Sequence, residues 1–190
     1  LVICEKPSVG AAVAAALGVT GKKDGYIEND KYIISWCIGH LVQLSEAAAY
    51  GEQYRKWSYD SLPILPQEWQ YTVAADKGKQ FKILKDLMHR ADVSEVVNAC
   101  DAGREGELIF RFVYHQAGCK KPFTRLWISS METDAIRSGF EHLKDGRGYD
   151  TLYHSALCRA KADWLIGINA TRLFSCLLYT SPSPRDTERS

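Results

Sequence analysis

Acidic side chains cluster at one short turn of the sequence, between an apolar run and a helical pattern. Residues 95–100 are mostly apolar and β-branched, which predicts a buried strand, and apolar residues recur at helical spacing from Leu108 onward. The turn between them carries Asp101, Glu105 and Glu107. Carboxylates this close repel one another unless a cation or an arginine compensates them, and their oxygens suit Mg²⁺. The alternative is a solvated helix start, since acidic residues favour the first turn of any helix.

A glutamate also follows the first apolar run of the chain. Residues 1–4 are apolar, Glu5 and Lys6 come directly after them, and Pro7 begins an amphipathic helical pattern. In an open α/β sheet the carboxyl ends of parallel strands meet at one edge, where ligands bind. We therefore expect Glu5 and Asp101 to converge on one cation.

The composition is that of an ordinary globular protein. The chain has 190 residues, of which 46% are hydrophobic and 25% charged, and its net charge is +1. Bulk charge therefore gives no attraction for nucleic acid, and any DNA contact must come from a local patch. We see no apolar run of membrane-spanning length and no signal peptide, so no membrane association is expected. The six scattered cysteines, without a C-x-x-C pair, predict reduced and buried thiols in a cytosolic protein.

Strand and helix patterns alternate along the first 150 residues, which predicts an α/β fold with a mostly parallel sheet covered by helices. After the first helix, residues 18–24 are predicted as a polar loop. The further predictions are a hairpin over 26–37, a helix over 79–91, a strand over 125–128 and a helix over 131–143.

Two further stretches carry aromatic and basic residues together. Residues 45–70 interleave five aromatic rings with Arg55 and Lys56, a combination that stacks on bases and pairs with phosphates; for most of these rings, packing over the sheet is the favoured alternative. Residues 151–174 predict one long helix, on which Arg159 and Asp163 are spaced to pair. Its plain interpretation is a core helix with a surface ion pair.

Several motifs, in this order, resemble the Toprim domain of type IA DNA topoisomerases, specifically the topoisomerase III branch. The resemblance runs from residue 1 to about residue 176. The motifs are Glu5-Lys6-Pro7-Ser8, Trp36-Cys37-Ile38-Gly39-His40-Leu41, Tyr54-Arg55-Lys56-Trp57, Leu62-Pro63-Ile64, the stretch from Asp101 to Glu107 and the stretch from Arg159 to Arg172.

The resemblance implies a domain plan. Residues 1–148 would form the Toprim domain, and residues 149–176 the first helix of a truncated α-helical domain that binds single-stranded DNA. Residues 177–190 have no periodicity and depart from the family pattern, so we expect a disordered, non-native tail on a truncated fragment.

The resemblance also implies a reaction: Mg²⁺-dependent, ATP-independent cleavage of one DNA strand through a 5′-phosphotyrosine, strand passage and religation. Glu5 and Lys6 would be catalytic, Glu5 beside the scissile phosphate and Lys6 stabilising the transition state or protonating the leaving oxygen. The metal ligands would be Glu5, Asp101 and Glu105, although Gly103 stands where the wider family has a second aspartate. The nucleophilic tyrosine of the family lies beyond this chain, so the chain alone is expected to be inactive.

DNA-binding residues are implied by the same resemblance. They are His40, Trp57, Arg159, Trp164 and Arg172. His40 has a structural alternative, satisfaction by the backbone. Trp164 and Arg172 are expected on different sides of the helix from the Arg159–Asp163 pair, so that one straight helix does not present all four to one strand.

Two other functions remain open from the sequence. One is another Toprim protein, such as a primase or an OLD-like nuclease, which shares the acidic motifs but lacks the motif between Trp164 and Arg172. The other is a metal-dependent nucleic-acid-binding module without catalysis of its own. In each case we expect a monomer in the bacterial cytosol or nucleoid, and the sequence leaves open a preference for relaxation or decatenation.

Overall fold

The structure is a computed structural model that describes residues 1–178. The chain divides into two units: residues 1–43 with 73–157 form the first, and residues 44–72 with the chain from Cys158 onward form the second. None of the helices within residues 1–178 combines the length and apolar character needed to cross a bilayer.

The first unit is built on a seven-stranded mixed sheet in the order β2-β3-β4-β1-β7-β8-β9. The four central strands are parallel, whereas β2, β3 and β9 pair antiparallel at the two sides. The strands are β1 (Val2–Cys4), β2 (Gly21–Lys23), β3 (Tyr26–Glu28), β4 (Ile33–Trp36), β7 (Val96–Ala99), β8 (Phe123–Arg125) and β9 (Lys144–Asp145).

Helices follow the parallel strands, as crossover connections require. They are α1 (Pro7–Ala16), α2 (Gly78–His89), α3 (Arg104–Gln116), α4 (Thr133–Glu141) and the first part of α5 (Asp150–Leu178). The core lies between sheet and helices, where Val2, Val13, Ile34 and Ile136 are fully buried. Because β1 is buried along its whole length, a continuous apolar run, rather than an alternating one, encodes it.

The predicted α/β fold is confirmed, and two element predictions need correction. Residues 18–24 were predicted as a loop, but Gly21–Lys23 form the edge strand β2; all three residues are exposed, so no apolar pattern marks them. A strand was predicted over 125–128. The structure has it earlier, at Phe123–Arg125, so the apolar residues after Arg125 lie beyond its end.

The second unit consists of an irregular segment and the later part of α5. The segment has short 3₁₀ turns at Ala47–Tyr50, Glu52–Tyr54 and Tyr59–Ser61. β5 (Val42–Leu44) and β6 (Tyr71–Val73) form a two-stranded sheet. The boundaries of the second unit fall within these two strands. Asn169 joins the segment to α5: its Oδ1 accepts from Ile64 N at 2.7 Å, and its Nδ2 donates to Ile64 O at 3.0 Å.

The domain division predicted at residue 148 did not anticipate that residues 44–72 group with α5. Their partners lie more than a hundred positions further along the chain, which no local pattern reveals. Helix α5 continues to Leu178, so the first two residues of the predicted tail are helical. The rest of that tail, residues 179–190 with Tyr179, lies outside the described residues.

Candidate functional site

Three parallel strands of the first unit end at one edge of the sheet, so the residues that follow these strands lie at that edge. Cys4, at the end of β1, pairs in register with Trp36 of β4 on one side and Ala99 of β7 on the other. Beyond the strands, Cys37 N donates to Cys4 O at 2.7 Å. The chain therefore leaves β1, β4 and β7 at neighbouring points, as the sequence motifs required.

Glu5, Lys6 and Asp101 lie together at this edge. Asp101 N lies 3.4 Å from Glu5 Oε2, a long hydrogen bond, and Lys6 Nζ lies 4.0 Å from Asp101 Oδ2. About half of the Lys6 and Asp101 side-chain surfaces is exposed. A long, solvated ion pair of this kind contributes little to stability, so the Lys6 ammonium group is free to move towards another anion.

Glu105 has a different partner at the same edge. Its Oε1 lies 2.6 Å from His40 Nε2, and both side chains are partly exposed. The backbone oxygen of His40 also accepts a hydrogen bond from Lys77 Nζ at 3.1 Å. The backbone oxygen of His40 thus pairs with a lysine, whereas its ring contacts the Glu105 carboxylate rather than a backbone group.

The carboxylate of Glu107 points into the protein, where only 1% of it is exposed. Its Oε1 lies 2.7 Å from Arg125 Nε and accepts from Asn98 Nδ2 at 2.9 Å, and its Oε2 lies 3.3 Å from Arg111 Nε. Burial raises the pKa of Glu107 above its usual value, although the charges of Arg125 and Arg111 oppose the rise. Arginine side chains therefore compensate the negative charge of this carboxylate of the acidic turn.

Arg125 is the functional residue that sequence reasoning missed. It is fully buried, and its Nη1 donates to the backbone oxygens of Asn98, Cys100 and Leu126 at 2.7–3.0 Å. Its Nη2 donates to Asp101 O at 2.7 Å. Nothing in the sequence pattern marks an arginine inside an apolar run as the residue that binds the acidic turn.

The close approach of helix α3 to the acidic turn depends on Gly106. A Cβ atom at this position would collide with Asp101 O, whereas a Cβ at Gly103 would meet no atom within 4 Å. Gly103 also has an extended backbone, with φ of 170°, which any residue adopts. Of the two glycines in the motif, only Gly106 is required sterically.

The arrangement fits a hard cation that is held by few protein ligands. Within residues 1–178 no three side chains of His, Cys, Asp and Glu are grouped closely enough to hold a metal ion. Glu5 and Asp101 nevertheless offer two neighbouring carboxylates to solvent. Mg²⁺ is typically bound through one or two carboxylates and keeps several waters, so this pair suits it.

The second unit has a cavity of about 540 Å³ between its irregular segment and α5. Trp57, Trp164 and Arg172 all line it. Asp163 lines it too, although the helical spacing had placed Asp163 on a different side from Trp164 and Arg172. Arg159 does not line the cavity; its Nε lies 3.5 Å from Asp163 Oδ2, and both side chains are exposed. The predicted pairing of Arg159 with Asp163 is confirmed.

Two of the predicted DNA-binding side chains have internal partners. Trp164 Nε1 donates to Ser45 O at 2.9 Å, and its ring packs edge to face on Tyr50 and Trp69. Arg172 is 6% exposed, and its Nη1 donates to Tyr54 O at 2.8 Å. These contacts use much of the surface of both side chains, and their binding to DNA stays a prediction.

Trp57 is an exposed aromatic residue of the cavity. Its side chain is 54% exposed, and the Arg172 guanidinium lies over its ring, 5.4 Å from the centroid. Arg172 Nε is buried and has no hydrogen-bond partner among the described residues. A ring and a cation are thus available to a ligand on the same wall.

A mixed, mostly parallel sheet with helices following its parallel strands, and with acidic residues where those strands end, defines an α/β domain. The Toprim domain model matches residues 1–131, and the chain therefore belongs to the Toprim domain family.

Known proteins resemble the chain over most of its length. It is 48% identical over 172 residues to DNA topoisomerase 3 of Bacillus licheniformis and 47% identical over 172 residues to that of Bacillus subtilis, in each case over 90% of this chain and 24% of the relative. It thus spans about a quarter of the length of these relatives. The fold matches topoisomerase I of Thermotoga maritima with a TM-score of 0.62 at 18% identity, over 92% of this chain and 26% of that one.

Proposed function

We propose that this chain is the N-terminal part of a type IA DNA topoisomerase of the topoisomerase III branch. The observation that carries the proposal is the grouping of Glu5, Lys6 and Asp101, partly exposed, at the carboxyl edge of a Toprim sheet. The similarity to DNA topoisomerase 3 over 90% of the chain supports it. It also favours a topoisomerase over a primase or an OLD-like nuclease, since it extends through the helix motif at 159–172.

In the proposed reaction, a tyrosine oxygen attacks a DNA phosphorus atom and the bond from phosphorus to O3′ breaks. The tyrosine lies outside this chain, so the chain contributes only part of the machinery. Lys6 donates a proton to the departing O3′, or neutralises the charge that develops there. Glu5 lies beside the phosphate, and after strand passage the same groups assist religation.

A magnesium ion is the proposed cofactor, held by Glu5 and Asp101, with Glu105 as the third ligand. When bound, it supplies positive charge beside the phosphate. Glu105 Oε1 lies 2.6 Å from His40 Nε2, and we propose that it exchanges this partner for the ion. Release of Glu105 leaves the His40 ring available to contact DNA.

Single-stranded DNA is the proposed partner of the second unit. Trp57 is exposed enough to stack on a base, and the orphaned Arg172 Nε is a donor for a polar group beside it. Arg159 is exposed and attracts phosphate, while Trp164 shapes the cavity wall. We further propose a monomer in the bacterial cytosol or nucleoid that acts on supercoiled or catenated DNA.

The second candidate is a metal-dependent nucleic-acid-binding module. It is favoured by the occurrence of the acidic edge and the Trp57 cavity in a chain whose proposed nucleophile lies elsewhere. Such a module binds single strands and Mg²⁺ but contributes nothing to cleavage.

A chimera distinguishes the two candidates. The aligned 172 residues replace their counterparts in DNA topoisomerase 3 of Bacillus subtilis, and relaxation and decatenation are assayed with and without Mg²⁺. We expect Mg²⁺-dependent activity that falls about a hundredfold in Lys6→Ala and strongly in Glu5→Gln and Asp101→Asn. Asp30→Asn, an exposed hairpin residue with the same change of charge, is the matched control and is expected to keep full activity. A folded chimera that binds DNA without cleaving it contradicts the topoisomerase and supports the module.

A further inference from the structure

We propose that Glu107 is a positioning residue of the acidic site, which fixes the turn at Asp101 by holding Arg125 against it. The inference rests on the proposed function, since it concerns the same metal site. It gives Glu107 a role different from that of Glu5 and Asp101, although all three belong to the acidic motifs of the sequence.

Glu107 is placed to hold a cation of the protein rather than a metal ion. It lies in the first turn of α3 with its side chain turned inward, 1% exposed. Arg125 Nε lies 2.7 Å from its Oε1, an ion-pair contact on a side chain that is itself fully buried. A buried guanidinium without a carboxylate partner is strongly destabilising, so Glu107 is what allows Arg125 to lie there charged.

Arg125 in turn holds the backbone from which Asp101 projects. Its two terminal nitrogens bind the carbonyl oxygens of Asn98, Cys100 and Asp101, three of the four residues that lead into the turn. Asn98 Oδ1 also accepts a hydrogen bond from Cys100 N at 3.0 Å, which holds the same stretch of backbone. The direction of the Asp101 carboxylate is therefore set by a network in which Glu107 supplies the carboxylate that contacts Arg125.

Arg111 offers an internal control, because it shares Glu107 but faces away from the acidic turn. Its Nη2 donates to Gly146 O at 2.8 Å and lies 2.8 Å from Asp150 Oδ1, at the start of α5. Like Arg125, it is a buried arginine paired with Glu107. Unlike Arg125, it makes no hydrogen bond to residues 98–101 among the contacts described for residues 1–178.

The test uses the 190-residue chain and Mg²⁺ alone as the probe. Glu107→Gln, Arg125→Lys and Arg111→Lys are compared by calorimetric Mg²⁺ titration, urea unfolding and amide hydrogen exchange. We expect Glu107→Gln and Arg125→Lys to weaken Mg²⁺ binding roughly tenfold or more and to speed exchange at residues 100–104. We expect Arg111→Lys to lower stability while changing Mg²⁺ affinity less than about threefold. Equal losses of affinity in all three variants overturn the proposal.

A double variant separates positioning from general stability. Glu107→Leu with Arg125→Met replaces the buried pair by apolar groups of similar volume, which is often neutral or stabilising. We expect the double variant to be more stable than Glu107→Leu alone, which leaves Arg125 buried without this carboxylate. Mg²⁺ binding is expected to stay weak and exchange at residues 100–104 fast, since the donors to the three carbonyls are gone. Recovery of Mg²⁺ affinity together with stability assigns Glu107 a purely structural role and overturns the proposal.

The two proposals fail in distinguishable ways. If the unaltered chain shows no Mg²⁺ binding that Asp101→Asn abolishes, the metal part of the proposed function fails. The exchange rates at residues 100–104 then decide the positioning role alone: faster exchange in Glu107→Gln than in Arg111→Lys supports it, and equal exchange overturns it.

Discussion

Gly106 is the residue at which helix α3 passes closest to the acidic turn. Because a Cβ atom there would collide with Asp101 O, Gly106→Ala must displace either the helix or the turn. We expect the free energy of unfolding to fall by about 1–3 kcal/mol and Mg²⁺ binding to weaken. Urea unfolding and Mg²⁺ titration measure the two effects.

Gly103→Ala is the matched control, since its Cβ would meet no atom within 4 Å. As Gly103 is the residue just before α3, its replacement by alanine is expected to cost under about 1 kcal/mol. A loss as large as that of Gly106→Ala would contradict the steric argument.

Gly103 is also the position at which the wider family has a second aspartate. Because the surrounding space is open, Gly103→Asp adds a third carboxylate near Glu5 and Asp101 without a clash. We expect Mg²⁺ to bind several-fold more tightly, since cation affinity rises with the number of charged ligands. Calorimetric titration measures this, and Gly103→Asn controls for side-chain size without charge. Equal affinity in both variants would contradict a site at this turn.

For single residues, the sequence reveals which side chains are present but not which way each of them points. Types and spacing predicted that Glu5 and Asp101 would meet, because strand ends in a parallel sheet converge. They did not reveal that Glu107 turns inward while Glu105 turns towards His40, since both lie in one helical turn and differ only in what the tertiary structure provides. Arg125 was missed for the same reason.

One amide side chain of helix α5 makes two of the hydrogen bonds that join this helix to the irregular segment of the second unit. Asn169 satisfies both the N–H and the C=O of the buried Ile64. We expect Asn169→Leu to lower the free energy of unfolding by about 1–3 kcal/mol, because two buried backbone groups lose their partner. Thermal and urea unfolding measure the loss.

Thr171→Ala, an exposed position two residues further along the same helix, is the control and is expected to change stability by less than about 0.5 kcal/mol. If Asn169→Leu is equally mild, water replaces the amide and the bridge contributes little.

Elements were predictable where apolar residues mark their burial and not where they are exposed. The apolar faces of α1, α2 and α3 mark those helices in the sequence, β1 is a continuous apolar run, and β7 is buried and mostly apolar. The edge strand β2 is wholly exposed, so its pairing with β3 leaves no trace in hydrophobicity. The aromatic rings of residues 45–70 looked like a cover for the sheet, but Tyr50 and Trp69 pack on Trp164 of α5.

On the scale of the whole molecule, the cysteines divide between the two units. Cys4, Cys37, Cys100 and Cys119 are buried and belong to the first unit, while Cys158 is exposed and Cys176 half-buried in the second. This agrees with the predicted buried thiols for four of the six cysteines.

We expect alkylation at pH 8 to label Cys158 first and the four buried cysteines only in urea. Burial raises the pKa of Cys4, and a hydrogen bond with Cys37 together with burial raises the pKa of Cys100. Raising the pH to 8 therefore leaves both as unreactive thiols in the folded chain. Mass spectrometry of the labelled peptides follows each unit separately during unfolding. Rapid native labelling of Cys4 or Cys100 would contradict this burial.

The position of β1 in the sheet has a consequence for protein synthesis. Val2 pairs on one side with Ile34 and on the other with Val97, although it is made far ahead of both. At ribosomal rates of about 5–20 residues per second, an interval of roughly 5–20 s separates β1 from β7. During that time the nascent chain exposes an apolar strand with one unpaired side, and Glu5 has no Asp101 to meet. The acidic edge therefore forms late in translation, and a cation that needs both carboxylates binds only after β7 has paired with β1.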